Sequence, residues 1–160
     1  MLLVGASIAP TSAAAAVPSP STAAADAQAV YRAINRERAA HGLRALNWNS
    51  RLVLAAHAHN LLMAKLNTLS HQLPGELSLG ARITAAGYLW RAIGENIGET
   101  ADWSQAGILA LHRVMYEEIA PNDPHRRNIL STAFRGVGVD VVMDGRHHKA
   151  WLTEVFAQPR

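Results

Sequence analysis

The sequence predicts an α+β domain with helices packed on a sheet, from two observations. Helix-periodic stretches fill residues 27–119, and two β-branched, aromatic runs joined by a turn signal close the chain. The length of 160 residues, 49% apolar and 17% charged, supports one compact domain that buries roughly two-thirds of its unfolded surface.

Each element has its own punctuation. Residues 27–40 place Val30, Ala33 and Ile34 on one helical face and stop before Gly42, a C-terminal cap signal. Asn49 or Ser50 caps a second helix whose stripe runs Leu52, Ala55, Ala56, His59, Leu62, Met63 and Leu66. After a turn at Pro74-Gly75, residues 78–86 form a short helix ended by Gly87. A third long helix covers 102–119, opened by Asp102 and Gln105 in capping-box spacing. Runs 136–143 and 150–156 then read as strands, with Asp144-Gly145 as the hairpin turn between them.

Ahead of these elements, residues 1–26 are uncharged up to Asp26 and rich in Ala, Ser, Pro and Thr. They resemble the apolar stretch and small-residue cleavage zone of a secretory signal peptide without its basic start. Pro10, Pro18 and Pro20 interrupt the run, which excludes a membrane span of about twenty apolar residues. The expected organisation is a leader over 1–26 and a single domain over 27–160, secreted or held in the cell envelope.

Composition removes several function classes. No cysteine is present, so disulfide scaffolds, thiolate zinc sites and cysteine nucleophiles are excluded. Thirteen of the fifteen basic residues are arginines, scattered with no run longer than Arg126-Arg127, and the net charge is only +3. This is no nucleic-acid footprint. There is no Gly-x-Ser-x-Gly elbow, His-Glu-x-x-His helix, phosphate loop or dinucleotide fingerprint. A Ser-His-Glu hydrolase would have to recruit Ser70, Ser104 or Ser131 through the fold.

Histidine is the informative residue, with eight copies. On the helical wheel of 102–119, Glu118 falls between Leu111 and Met115, so it is expected to point inward. Glu117 lies four residues after Arg113 on the polar face, in ion-pair spacing. An inward carboxylate needs a hydrogen-bond donor, a cation or a metal. His125 follows seven residues on. His59 sits on an apolar face, where a core histidine with one satisfied nitrogen is the expectation, and His57 projects to the other side. His112 borders its helix's stripe without an identifiable partner, His41 suits a helix C-terminus, and His147-His148 read as a solvated loop.

These residues carry a resemblance. Ile34-Asn35-Arg36-Glu37-Arg38 with Gly42, Ser70-His71-Gln72, Gly94-Glu95-Asn96-Ile97 and His125-Arg126-Arg127-Asn128-Ile129-Leu130, followed by the closing hairpin, resemble the CAP superfamily in its bacterial secreted branch. CAP stands for cysteine-rich secretory proteins, antigen 5 and pathogenesis-related proteins. The resemblance implies an α-β-α sandwich, with a short antiparallel sheet between helical layers. It also implies a cleft tetrad at His71, Glu95, Glu118 and His125. The family's tryptophan ahead of the glutamate is replaced around Val114 to Tyr116, and the eukaryotic disulfides have no counterpart.

Two imidazoles and two carboxylates suit a first-row divalent cation, zinc above all, better than calcium. The other reading is structural. In it, each glutamate hydrogen-bonds a histidine or backbone amide and ties a loop at 94–97 to the third long helix. Partners implied by the resemblance are an extracellular small molecule, a lipid, or a glycan of the cell envelope. Three functions are carried forward: a cation- and ligand-binding module, a metal-assisted hydrolase with Glu95 or Glu118 as general base, and a lipid or sterol carrier.

Overall fold

The computed structural model describes residues 20–160 of the chain. In order, the elements are α1 (Pro20–Ala40), β1 (Asn47–Trp48), α2 (Ser50–Leu66), α3 (Leu79–Ala85), β2 (Trp90–Thr100), α4 (Gln105–Tyr116), α5 (Pro124–Leu130), β3 (Gly136–Asp144) and β4 (Lys149–Pro159). The strands form one sheet in the order β1-β3-β4-β2. β4 runs antiparallel to both of its neighbours, β2 and β3, and β1 pairs in parallel with β3 at Gly136 and Val137. The three long strands thus form the expected antiparallel sheet, to which the two-residue β1 adds one parallel pairing.

Alternation along the strands builds two cores. Val137, Val139 and Val141 of β3, with Ala150, Leu152 and Phe156 of β4, face α1, α4 and α5, where they meet Val30, Ile34, Ile108, Met115 and Ile129. The opposite face of β4 sends Val155 and Ala157 against Leu52, Ala55, Ala56 and Ile83 of α2 and α3. Trp151 packs on the same side with Met63 and Ile97. These are the three layers of an α-β-α sandwich.

Several boundaries differ from expectation for identifiable reasons. The first helix begins at Pro20, not Ala27, and this puts Asp26 inside α1, buried, with Gln105 Nε2 donating to it at 2.9 Å. Of the leader expected over residues 1–26, residues 1–19 lie outside the described residues and the remainder forms the start of α1. In α2, Asn49 is the cap, accepting from the amides of Arg51 and Leu52. α4 starts on Ser104, whose Oγ accepts from Gly107 N at 3.1 Å, while Asp102 binds the Ser104 amide instead. It ends at Tyr116, three residues short of expectation. Pro121 cannot donate, and its ring would clash with the Glu117 carbonyl of a continuing helix. The hairpin loop is longer than two residues: Asp144 Oδ1 accepts from the amides of Arg146 and His147, and His147 Nδ1 lies 2.6 Å from Asp144 Oδ2.

The largest omission is β2, expected as a loop at 94–97 and observed as an eleven-residue edge strand. Its glycines and charges lower its apparent strand propensity. In the fold those glycines admit the helices. A Cβ on Gly94 would lie 2.6 Å from Asn128 Oδ1, and one on Gly98 2.6 Å from the end of Met115. The short helix α5, which carries His125, was likewise not expected as a helix.

Candidate functional site

β2 divides the site. Because successive strand residues face opposite ways, Glu95 projects toward α2 and α3 while Asn96 projects toward α4 and α5. On the first side, Glu95 is buried and accepts from Arg82, Nη1 to Oε2 at 3.0 Å and Nη2 to Oε1 at 3.3 Å. His71 Nδ1 lies 3.0 Å from Glu95 Oε1, with the imidazole 57% exposed. Burial alone would raise the Glu95 carboxyl. Hydrogen bonds from His71 and Arg82, with the charges of Arg82 and His59, outweigh it and hold the group below the usual carboxylate range.

Behind this pair, His59 Nδ1 bonds Glu76 Oε1 at 2.6 Å and its Nε2 stands 3.9 Å from Glu95 Oε1 without a hydrogen-bond partner among the described residues. His59 is thus a core histidine with one satisfied nitrogen, placed against the site. His57 diverges as expected, to Asp140 at 3.1 Å.

On the second side, Glu118 stands in the loop after α4, so the helical-wheel reason for its inward direction does not hold. It is nevertheless only 20% exposed. Its Oε1 meets His125 Nδ1 at 2.5 Å, and Oε2 accepts from the amides of His125 at 2.9 Å and Arg126 at 3.4 Å. Asp123, the residue at the N-cap of α5, makes no side-chain cap bond. Glu118 takes that role, a carboxylate at a helix start where free amides and the helix dipole favour it. Glu117 pairs with Arg113 at 2.7 Å in the open. Glu118→Ala is therefore expected to lower stability by about 1–2 kcal/mol, the cost of a lost cap, while Glu117→Ala leaves the urea midpoint unchanged. Equal midpoints for the two variants would refute this assignment.

Asn96 connects the halves. Its Nδ2 donates to Glu154 Oε2 at 2.9 Å and to the His125 carbonyl at 3.2 Å. Asn128 Nδ2 donates to Asn96 Oδ1 at 2.8 Å and to the Glu95 carbonyl at 3.2 Å. Arg82, Asn96 and Asn128 were not singled out as site residues, although Asn96 and Asn128 lie inside the quoted motifs. Arg82 left no signal: on a seven-residue helix it reads as an exposed arginine, and it is buried.

The donor set can be tested on these contacts. Every oxygen of Glu95 and Glu118 already accepts a hydrogen bond, and no group of three or more His, Asp or Glu side chains among the described residues is placed to hold a metal ion. The carboxylates thus do not fit as direct ligands in this arrangement. Both imidazoles turn Nδ1 to a carboxylate, and neither Nε2 has a hydrogen-bond partner among the described residues. A carboxylate on one ring nitrogen fixes the tautomer and leaves the other nitrogen as the basic atom. Ser70 Oγ donates to the Gln72 carbonyl, Ser104 caps α4 and Ser131 Oγ accepts from Ala133 N, so these bonds do not form a serine–histidine pair.

A polar hollow of about 440 Å³ adjoins Glu118, Asp123 and Arg126. A more apolar one, about 280 Å³, lies away from both pairs, where Ala23, Leu61 and Met143 meet at the edge of β3. Among the described residues, no helix is long and apolar enough to cross a membrane.

Comparison with known proteins bears on this arrangement. Residues 31–156 match the family described as CAP, the cysteine-rich secretory protein family. No match to a curated protein is found. Among solved structures, an extracellular protein containing a SCP domain from Bacillus anthracis superposes with a TM-score of 0.73 at 23% identity, over 88% of this chain and 44% of that one. An outer surface protein from Borrelia burgdorferi gives 0.71 at 14% identity, over 85% and 94% of the two chains. NaASP2, solved with Zn2+, gives 0.62 at 10% identity, over 86% and 82%. The chain thus spans less than half of the Bacillus anthracis protein, and at these identities the likeness is one of fold.

Proposed function

The chain belongs to the CAP family of cysteine-rich secretory proteins, and on that premise we propose that it is an extracellular or envelope binding protein whose cleft takes up a divalent cation through Nε2 of His71 and Nε2 of His125. One observation carries the reading: in both histidines the carboxylate takes the Nδ1 side, Glu95 for His71 and Glu118 for His125. The two glutamates then orient the imidazoles from behind. Zinc is the preferred ion, because neutral imidazole suits it and two nitrogens give calcium nothing. The ion would offer its remaining coordination positions to an extracellular ligand, a small molecule or a glycan of the envelope.

Support for the location comes from the leader-like composition of the residues that precede α1 and from the two bacterial neighbours, described as extracellular and as an outer surface protein. Binding is favoured over hydrolysis by the state of the carboxylates. A general base must take a proton from water, whereas each oxygen here already accepts a hydrogen bond, and Arg82 lowers the basicity of Glu95.

Calorimetric zinc titration of the wild type and of the His71→Ala, His125→Ala double variant tests the reading. Saturable binding is expected at about pH 7.5. The double variant is expected to lose it. Undiminished binding by the double variant would place the ion elsewhere, His147-His148 being the nearest alternative by chemistry.

A further inference from the structure

A second concave site lies at the margin of β3, away from His71 and His125. β1 pairs with β3 only at Gly136 and Val137, so among the described residues no strand runs alongside β3 beyond that point on this side. Ala23 and Ala24 of α1, His57 and Leu61 of α2, and residues 140–143 of β3 enclose the hollow of about 280 Å³ there. Six of these eight lining residues are apolar, and the two polar ones, His57 and Asp140, are bonded to each other.

Asp140 is the unusual member. Its carboxylate is 14% exposed and is held from behind by buried groups. Asn60 Nδ2 donates to the Asp140 carbonyl at 2.9 Å and to Oδ2 at 2.8 Å, and Thr153 Oγ1 donates to Asn60 Oδ1 at 2.6 Å. Oδ1 meets only His57 Nδ1, at 3.1 Å, among the described residues, and no lysine or arginine among them forms an ion pair with Asp140. Burial therefore prevails over Asn60 and His57 and raises the carboxyl above its ordinary range. Glu95, with Arg82, and Asp144, with His147 and two backbone amides, lie below theirs. Tying α2 to β3 needs acceptors at position 140, which an uncharged amide would also supply. The charge is what that tie leaves unused.

We propose that this hollow binds a small amphiphilic amine, its ammonium on Asp140 beside His57 and its short apolar body against Ala23, Ala24, Leu61 and Met143. A cation supplies the counter-charge that a mostly buried carboxylate lacks. A primary ammonium carries three donors, and Oδ1 has room to accept a second hydrogen bond. An anionic head would meet Asp140 with like charge and find one imidazole as its only side-chain donor. The volume lies at the small end of ligand pockets, which begin at about 300 Å³, so it takes one short chain or ring. Nothing at this site depends on a cation at His71 or His125.

Hexylamine is the probe, cationic at about pH 7.5 because an alkylammonium titrates near the lysine value of about 10.4. Titration of the isotope-labelled protein, followed by NMR, is expected to give saturable binding with a Kd on the order of 1 mM or tighter. The shifted signals are expected to centre on Ala23, Ala24, Leu61 and Met143. Hexan-1-ol, with the same tail and no charge, is expected to bind at least about tenfold more weakly, and hexanoate not to saturate. Asp140→Asn keeps an acceptor for Asn60 and removes the charge, and it is expected to bind hexylamine no better than the wild type binds hexan-1-ol. Equal wild-type affinity for the amine and the alcohol, or shifts centred elsewhere, would overturn the proposal. Should Asp140→Asn fail to fold, Ala24→Phe decides in its place: Ala24 is exposed on α1, and the ring fills the hollow. Undiminished hexylamine binding by Ala24→Phe would equally overturn it.

Discussion

His112→Gln is expected to lower stability by roughly 3–5 kcal/mol near neutral pH, the scale on which breaking a buried ion pair costs a fold. His112 is buried in α4 between two carboxylates, with Nδ1 2.6 Å from Glu154 Oε1 and Nε2 3.0 Å from Glu37 Oε2. Burial opposes its charge. Glu154, by charge and hydrogen bond, and then Glu37 overcome that opposition and push the imidazole up to about 10. The folded value lies above the ordinary one near 6.5, so the stabilisation is fully present below about pH 6.5 and is lost as pH rises through about 10. Urea unfolding at several pH values across that window is expected to show falling stability in the wild type and a flatter profile in His112→Gln. Parallel profiles would refute the account. The effect also reaches the site, because Glu154 shares its other oxygen with Asn96, the residue that joins the Glu95 strand to the His125 carbonyl.

A comparable loss, about 3–5 kcal/mol, is expected for Arg38→Met, which keeps the apolar stem and removes the guanidinium. Arg38 is buried on α1, and its Nε donates to the Arg44 carbonyl at 2.9 Å. Its Nη1 donates to the carbonyls of Ile129 and Ser131, each at 2.8 Å. These last acceptors close the end of α5, where a helix's final carbonyls have no partner of their own. Without the guanidinium, three carbonyls lose their donor. Denaturant titration with an unchanged m-value measures the loss, and a change below about 1 kcal/mol would show that water substitutes for Arg38. α5 carries His125, so a folded Arg38→Lys variant with loosened α5 is also expected to bind zinc less tightly.

How much of this was legible beforehand divides along the range of the interactions. α2 and α3 were readable because apolar spacing, a cap at Asn49 or Ser50 for α2 and a stop at Gly87 for α3 all act within a few residues. The closing hairpin was readable because β-branched runs flank a turn residue, although Asp144 builds a longer loop than its Asp-Gly pair implies. β2 was not. Its glycines count against a strand locally, and only the approach of Asn128 and Met115 from other elements explains them.

The four tetrad residues were named from motifs, and the structure pairs them two by two, His71 with Glu95 and His125 with Glu118. Glu118 was assigned an inward direction from a helix that ends before it. Its actual partners, the first amides of α5, are supplied by a helix not anticipated. By itself the sequence determined the α+β class through local periodicity, and the order of its motifs carried the resemblance to the family, which the family match bears out. Tertiary structure alone decided what each charge is bound to. Arg82 meets Glu95 and His112 meets Glu154 across 13 and 42 residues of chain. A buried charge takes whichever partner the packing delivers, because leaving it unpaired costs more than any local preference can return.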